Sequence, residues 1–101
     1  MENITHGELK NLQSTGEKIL VQYTAVWCGP CRALTPQLSN LSNKYENIKF
    51  VKIDVDQNPD SVMEMEIRSA PTVVIYKGDE IIDRSTGIQS TEHYSKVLNS
   101  L

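Results

Sequence analysis

Cys28 and Cys31 are the only cysteines in the chain, and they fall within the run Trp27-Cys28-Gly29-Pro30-Cys31. A pair at this spacing can bind metal, staple a loop or cycle between dithiol and disulfide. A zinc site needs about four ligands, and the only histidines, His6 and His93, stand isolated near opposite ends of the sequence, so no metal is expected. As a staple the pair is weak: loop entropy gives about 1.9 kcal/mol for a four-residue ring, against about 4.7 kcal/mol for a 100-residue loop. A small secreted scaffold would need more cysteines. The position of the pair favours reversible redox chemistry. Cys28 falls at the start of a helix, where unpaired backbone N–H groups and the helix dipole stabilise a thiolate, and this makes it the nucleophile. Cys31 lies one turn further in, shielded but within reach of the first sulfur, and this makes it the resolving thiol.

The flanking elements must hold that arrangement. Lys18 to Ala25 is an almost continuously apolar, β-prone run and reads as a central strand buried on both faces. From Cys31 the period becomes helical, with Cys31, Leu34, Leu38, Leu41 and Tyr45 forming one stripe. Pro30 suits the first helical turn, whereas Pro36 removes a helical hydrogen bond and should kink the helix. Ile48 to Val55 is a second strand, with Phe50, Lys52 and Asp54 on one side and Val51, Ile53 and Val55 on the other. Strand, helix and strand at this length make a βαβ unit with a parallel pair.

Before this unit, Thr5 and Glu8 have capping-box spacing, and a helix from about His6 to Thr15 ends at Gly16. After it, Asn58 and Pro59 should cap and open a short helix to about Ile67. Thr72 to Tyr76 and Glu80 to Arg84 are read as antiparallel strands joined by Gly78-Asp79, and Ser90 as the cap of a last helix. The expected class is α/β: a central mixed sheet of four or five strands flanked by about four helices.

With 101 residues, 39% hydrophobic and 23% charged, residues 1–101 are expected to form a single domain of about 13 Å radius of gyration. The longest apolar stretches are far short of a membrane span. Met1 to Leu9 carries two acids and no base, unlike a targeting segment, so a cytoplasmic location is expected. A net charge of -3 without a basic run gives no footprint for nucleic acid.

At this point the chain resembles the thioredoxin family. The resemblance runs from the first strand to the last helix, and is carried by Trp27-Cys28-Gly29-Pro30-Cys31, Pro36, Asp56-Gln57-Asn58-Pro59, Ala70-Pro71-Thr72 and Gly87. A Cys-X-X-Cys near a βαβ pattern is itself the family's sequence mark. The resemblance implies a monomeric thiol-disulfide oxidoreductase that reduces protein disulfides through a mixed-disulfide intermediate. It binds no cofactor beyond its own reversible Cys28–Cys31 disulfide, and is recharged by a flavin-containing, NADPH-dependent thioredoxin reductase. It further implies a cis peptide before Pro71, and a substrate-docking rim of Trp27, Val55, Ser69, Ala70, Gly87 and Ile88. The alternatives are a disulfide oxidase or isomerase, whose poise depends on residues around the cysteines, and a binding subunit that uses the fold without redox chemistry.

The sequence departs from the family in places that bear on mechanism. Most members carry a buried aspartate six residues before the first cysteine, proposed to take the proton from the second; here that residue is Gln22. An amide cannot act as a general base near neutral pH. Lys52, the usual neighbour of that acid, is retained; without the carboxylate it either stands as an unpaired, partly desolvated cation or, the favoured reading, extends its ammonium to solvent. Thr24 replaces a frequent tryptophan and Ala70 a usual isoleucine, so the groove should be shallower or select differently. The usual first strand should be very short or missing.

Overall fold

The computed structural model describes residues 1–101. The apolar continuity of the first long run has the expected consequence. That strand, β2 (Lys18–Thr24), is the middle of a five-stranded sheet in the order β1-β3-β2-β4-β5, with β3 spanning Ile48–Asp54, β4 Thr72–Lys77 and β5 Glu80–Thr86. β2 pairs parallel with β3 and antiparallel with β4, and β4 pairs antiparallel with β5. The first strand is present but has only two residues: β1 (Glu2–Asn3) lies parallel to Val51–Lys52 on the outer edge of β3.

Alternation along β2 sends its side chains into two separate layers. Ile19, Val21 and Tyr23 join Val51, Ile53, Val74 and Tyr76 beneath helices α1 (His6–Ser14) and α3 (Pro59–Met65), which contribute Leu9 and Val62. Leu20 joins Phe50, Val73 and Ile75 beneath α2 (Gly29–Ser42) and α4 (Thr91–Asn99), which contribute Leu34, Leu38, Leu41, Tyr94 and Leu98. The result is a sheet with two helices on each face. Within the first layer the Tyr23 and Tyr76 hydroxyls bond to each other at 2.8 Å. Burial pushes both phenols above their ordinary pKa, and the proximity of Tyr76 adds to the rise at Tyr23.

Local signals account for several boundaries. The Thr5 hydroxyl accepts from the Glu8 N–H at 3.1 Å while the Glu8 carboxylate accepts from the Thr5 N–H at 3.0 Å, completing the capping box of α1. Ser90 caps α4 by accepting from the His93 N–H. α2 continues through Pro36 to Ser42, so Tyr45 lies beyond the helix and reaches the same layer from the following turn, stacked on Phe50 at 6.4 Å.

Asn58 is the N-cap of α3 and Pro59 opens the helix as expected, but two details differ. The Asn58 side chain makes no capping bond; its amide accepts from the His6 N–H and donates to the Asp54 carbonyl, both at 2.9 Å, and so ties α1 to the end of β3. The helix also stops at Met65 rather than near Ile67, because Glu66 adopts a left-handed conformation at φ 50°. The Arg84 guanidinium on β5 holds that end, donating to the carbonyls of Met65 and Glu66.

Candidate functional site

The end of β2 delivers the chain to Cys28, which is the N-cap of α2 with an extended backbone at φ -93° and ψ 109°. Its sulfur accepts from the Cys31 N–H at 3.2 Å, so one of the unpaired donors at the helix start points at it. Cys28 and Cys31 are joined as a disulfide with their Cα atoms 5.3 Å apart. Both residues are nearly covered in this state, at 3% and 1% exposure. Gly29 and Pro30 complete the first turn, where proline has no donor to lose.

The loop before β4 closes over the pair. The Ala70–Pro71 peptide is cis, and the Ala70 carbonyl oxygen lies 3.4 Å from the Cys28 sulfur, where a reduced thiol could donate to it. The Thr72 hydroxyl donates to the Ser69 carbonyl at 2.7 Å, and the Gly87 N–H donates to the Pro71 carbonyl at 2.8 Å. Gly87 itself has φ +72°, a conformation that favours glycine. Val55 and Ala70 pack on the cysteines together with Ala25. Ile88 is half exposed beyond Gly87 and is not among the side chains packed on the pair.

Trp27 projects into solvent with 65% exposure, but its indole N–H donates to the Asp56 carboxylate at 2.8 Å, which fixes the ring. Between Trp27 and α3 runs a groove of about 420 Å³, lined also by Val55, Pro59, Val62, Met63, Ile67 and Ala70. A second, more polar cleft of about 650 Å³ reaches Cys31 from the side of β3, and is bordered by Thr35, Arg32, Lys52 and Asp54.

Gln22 is fully buried and both ends of its amide are used. It donates to the Cys31 carbonyl at 3.1 Å, and its oxygen faces the Thr35 hydroxyl at 3.1 Å, which also lies 3.0 Å from the Cys31 carbonyl. Lys52 is the register partner of Gln22 across the β2–β3 pair. It is half-buried, borders the polar cleft and pairs with no acid.

No group of three or more His, Cys, Asp or Glu side chains is placed to hold a metal ion. His6 instead bonds to the Ser61 hydroxyl at 2.7 Å, and His93 to the Asp83 carboxylate at 3.0 Å. No helix is long and apolar enough to cross a membrane. Two contributors, Thr35 and Met63, escaped the sequence reading, and Asp56 entered it only as part of a matching segment, with no role. Thr35 is one residue before a proline in an otherwise apolar stripe, and Asp56 and Met63 gave no periodic signal.

Comparison with known proteins agrees with the geometry. The family model described as Thioredoxin matches residues 4–100. The chain is 43% identical over 92 residues to a thioredoxin of Aspergillus fumigatus, covering 91% of this chain and 84% of the relative. It is 38% identical over 91 residues to a thioredoxin of Staphylococcus haemolyticus, covering 89% and 86%. Among solved structures, the oxidised form of mitochondrial thioredoxin 3 from Saccharomyces cerevisiae superposes with a TM-score of 0.86 at 32% identity, covering 98% of this chain and 94% of that one.

Proposed function

The chain belongs to the thioredoxin family and is a protein-disulfide reductase, and from that premise we propose that Cys28 is its nucleophile and Cys31 its resolving thiol. The observation that carries the assignment is the Cys31 N–H directed at the Cys28 sulfur at 3.2 Å, at the positive end of a 14-residue helix. A donor and a dipole so placed favour the thiolate at Cys28. Cys31 has no equivalent donor and continues the leucine stripe.

In the reduced protein the Cys28 thiolate attacks one sulfur of a substrate disulfide. A mixed disulfide forms, and the first substrate sulfur leaves as a thiolate that takes up a proton. Cys31 then loses its proton and attacks the Cys28 sulfur, forming the Cys28–Cys31 disulfide and expelling the second substrate thiolate. Two electrons pass from the dithiol to the substrate. Gln22 cannot accept the Cys31 proton. Water in the polar cleft, which Cys31 borders, is the acceptor proposed.

The docking rim is Trp27, Val55, Ser69, Ala70, Pro71, Gly87 and Ile88, with the Ala70 backbone meeting an extended substrate beside the sulfur. The partners proposed are disulfide-bearing proteins and a flavin-dependent, NADPH-consuming thioredoxin reductase, with the chain acting as a monomer. The compartment proposed is the cytoplasm, where thiols are kept reduced; the yeast relative carries the same fold in the mitochondrion. Insulin reduction tests the reading. The wild-type protein should precipitate the insulin B chain in the presence of a reductant, and Cys28→Ser should be inactive. Equal activity of the two proteins would refute it.

A further inference from the structure

Two surfaces enclose the polar cleft beside Cys31. Its roof is the first turns of α2, with Cys31, Arg32 and Thr35, and its floor is the face of the sheet beneath them. Alternation puts Phe50, Lys52 and Asp54 on that face of β3, and the β2–β3 register sets Gln22 beside Lys52 and Thr24 beside Asp54. The bond from Gln22 to the Cys31 carbonyl at 3.1 Å ties floor to roof.

Asp54 is the only carboxylate that lines this cleft. Its Oδ1 accepts from the Asp56 N–H at 2.8 Å, which fixes the group and leaves Oδ2 to the cleft. The side chain is half-buried and forms no ion pair. The titratable and charged groups around it are Cys31 and Arg32 from α2, Lys52 from its own strand and Asp56 beyond the turn; β2 contributes only neutral side chains. Arg32 is turned to the Val26 carbonyl at 2.9 Å, and Asp56 gives its carboxylate to Trp27. A fixed acid with a free oxygen, in the cleft of about 650 Å³ that also reaches the resolving thiol, stands where a base would be placed.

The reaction needs such a base. Cys31 must shed a proton as it attacks, the Gln22 amide cannot take it, and water alone is a weak acceptor. No bond joins Asp54 to Cys31, so the path between them runs through solvent, for which the cleft has room. We propose that Asp54 is the proton-accepting residue of the resolving step, acting through cleft water. The Cys31 sulfur bonds to the Cys28 sulfur, and the bond from Cys28 to the substrate sulfur breaks, its electron pair leaving on the substrate. The Cys31 proton passes to the water while the water yields one of its own to Asp54 Oδ2. The inference rests on the assignment of Cys31 as the resolving thiol with water as its immediate acceptor, and adds the residue that draws the proton onward.

The test follows both steps in one stopped-flow trace. The reduced full chain is mixed with an excess of a symmetrical nitroaromatic disulfide whose thiolate product absorbs visible light. The first release, which scales with reagent concentration, reports attack by the first sulfur; the second, independent of that concentration, reports the resolving step. Wild type, Asp54→Asn and Asp54→Glu are compared from pH 6 to pH 9. Asparagine keeps the oxygen that accepts from the Asp56 N–H but takes no proton, so it isolates the base. In wild type the second release should be nearly level with pH. In Asp54→Asn it should be slower by about a hundredfold at pH 6, the low end of what a positioned base contributes. It should then rise with hydroxide until the two proteins converge near pH 9, where thiolate forms unaided. Asp54→Glu should recover part of the loss, and the first release should be alike in all three. A second release in Asp54→Asn that equals or exceeds wild type at pH 6 would overturn the proposal, because a charge acting only at a distance would ease ionisation of Cys31 when removed. So would an equal loss in both releases, the mark of a distorted site. Acid quench between the releases, with peptide mapping, checks the reading beneath. An aryl group found on Cys31 rather than Cys28 would overturn the order of the pair itself.

Discussion

Replacing Gln22 by aspartate places a carboxyl group in the fully buried position beside Cys31. The first cost is local. The shorter side chain loses the N–H donated to the Cys31 carbonyl and leaves a small gap, for about 1–2 kcal/mol at any pH. The second cost depends on pH. Desolvation raises the pKa of a buried carboxyl by up to 3–5 units, while a nearby cation lowers it. Lys52, opposite Gln22 in the β2–β3 register, opposes part of the rise. A net rise of about 2–3 units corresponds to about 3–4 kcal/mol. With the folded pKa above the unfolded value near 4, both states are protonated below pH 4 and this second cost is absent. As pH rises the unfolded carboxyl ionises first, so stability falls until the folded pKa is passed, and is level by about pH 8. Urea melts of oxidised wild type and Gln22→Asp at pH 4 and pH 8 measure both components. The variant should be less stable at both values, by about 3–4 kcal/mol more at pH 8 than at pH 4. An equal deficit at the two pH values would refute the argument that residue 22 lies in a low-dielectric site.

Other outcomes follow from particular contacts. Glu66→Gly relieves the left-handed backbone at φ 50° and should stabilise the fold by about 1 kcal/mol in a urea melt. Thr5→Ala removes the hydroxyl arm of the α1 capping box, while the backbone N–H donated to Glu8 remains, and should cost about 1 kcal/mol in the same assay. Tyr23→Phe leaves the Tyr76 hydroxyl without its partner and should cost about 1–3 kcal/mol at neutral pH. The same variant should respond less to alkali. The raised folded pKa values of Tyr23, Tyr76 and Tyr94, caused first by burial, mean that stability is fully present below pH 10 and falls above it, as the phenols ionise first in the unfolded chain. Removing Tyr23 from the set should lower the slope above pH 10, as read from melts between pH 9 and pH 11.

What could be read from the sequence depended on how far apart the interacting groups lie in the chain. The Thr5–Glu8 box acts within one turn, and the β2 run is apolar because both its faces are covered, so each signal was complete in its own window. The same holds for the helix that begins at Cys28. Asn58 was placed correctly at the N-cap, but its side chain does not cap because its amide is claimed by His6 and Asp54, and the former is 52 residues away. The end of α3 was missed because a non-glycine residue in a left-handed conformation is not favoured locally; it is held by Arg84, 18 residues further on. Within the site, the redox pair and the loop of Ser69, Ala70 and Pro71 announced themselves by motif. The Trp27–Asp56 bond spans 29 residues, and the Thr35 bridge to Gln22 spans 13 between a helix and a strand. Periodicity carries no information about either.

The central claim is the asymmetry of the two sulfurs, and alkylation measures it directly. The fully reduced protein is treated briefly with iodoacetamide at pH 7, digested with trypsin, and the peptide running from Ile19 to Arg32 is fragmented to locate the label. The Cys31 N–H aimed at the Cys28 sulfur predicts a thiolate, and therefore the label, at Cys28, with Cys31 reacting slowly. Label found chiefly on Cys31 would contradict the account and reverse the roles of the pair.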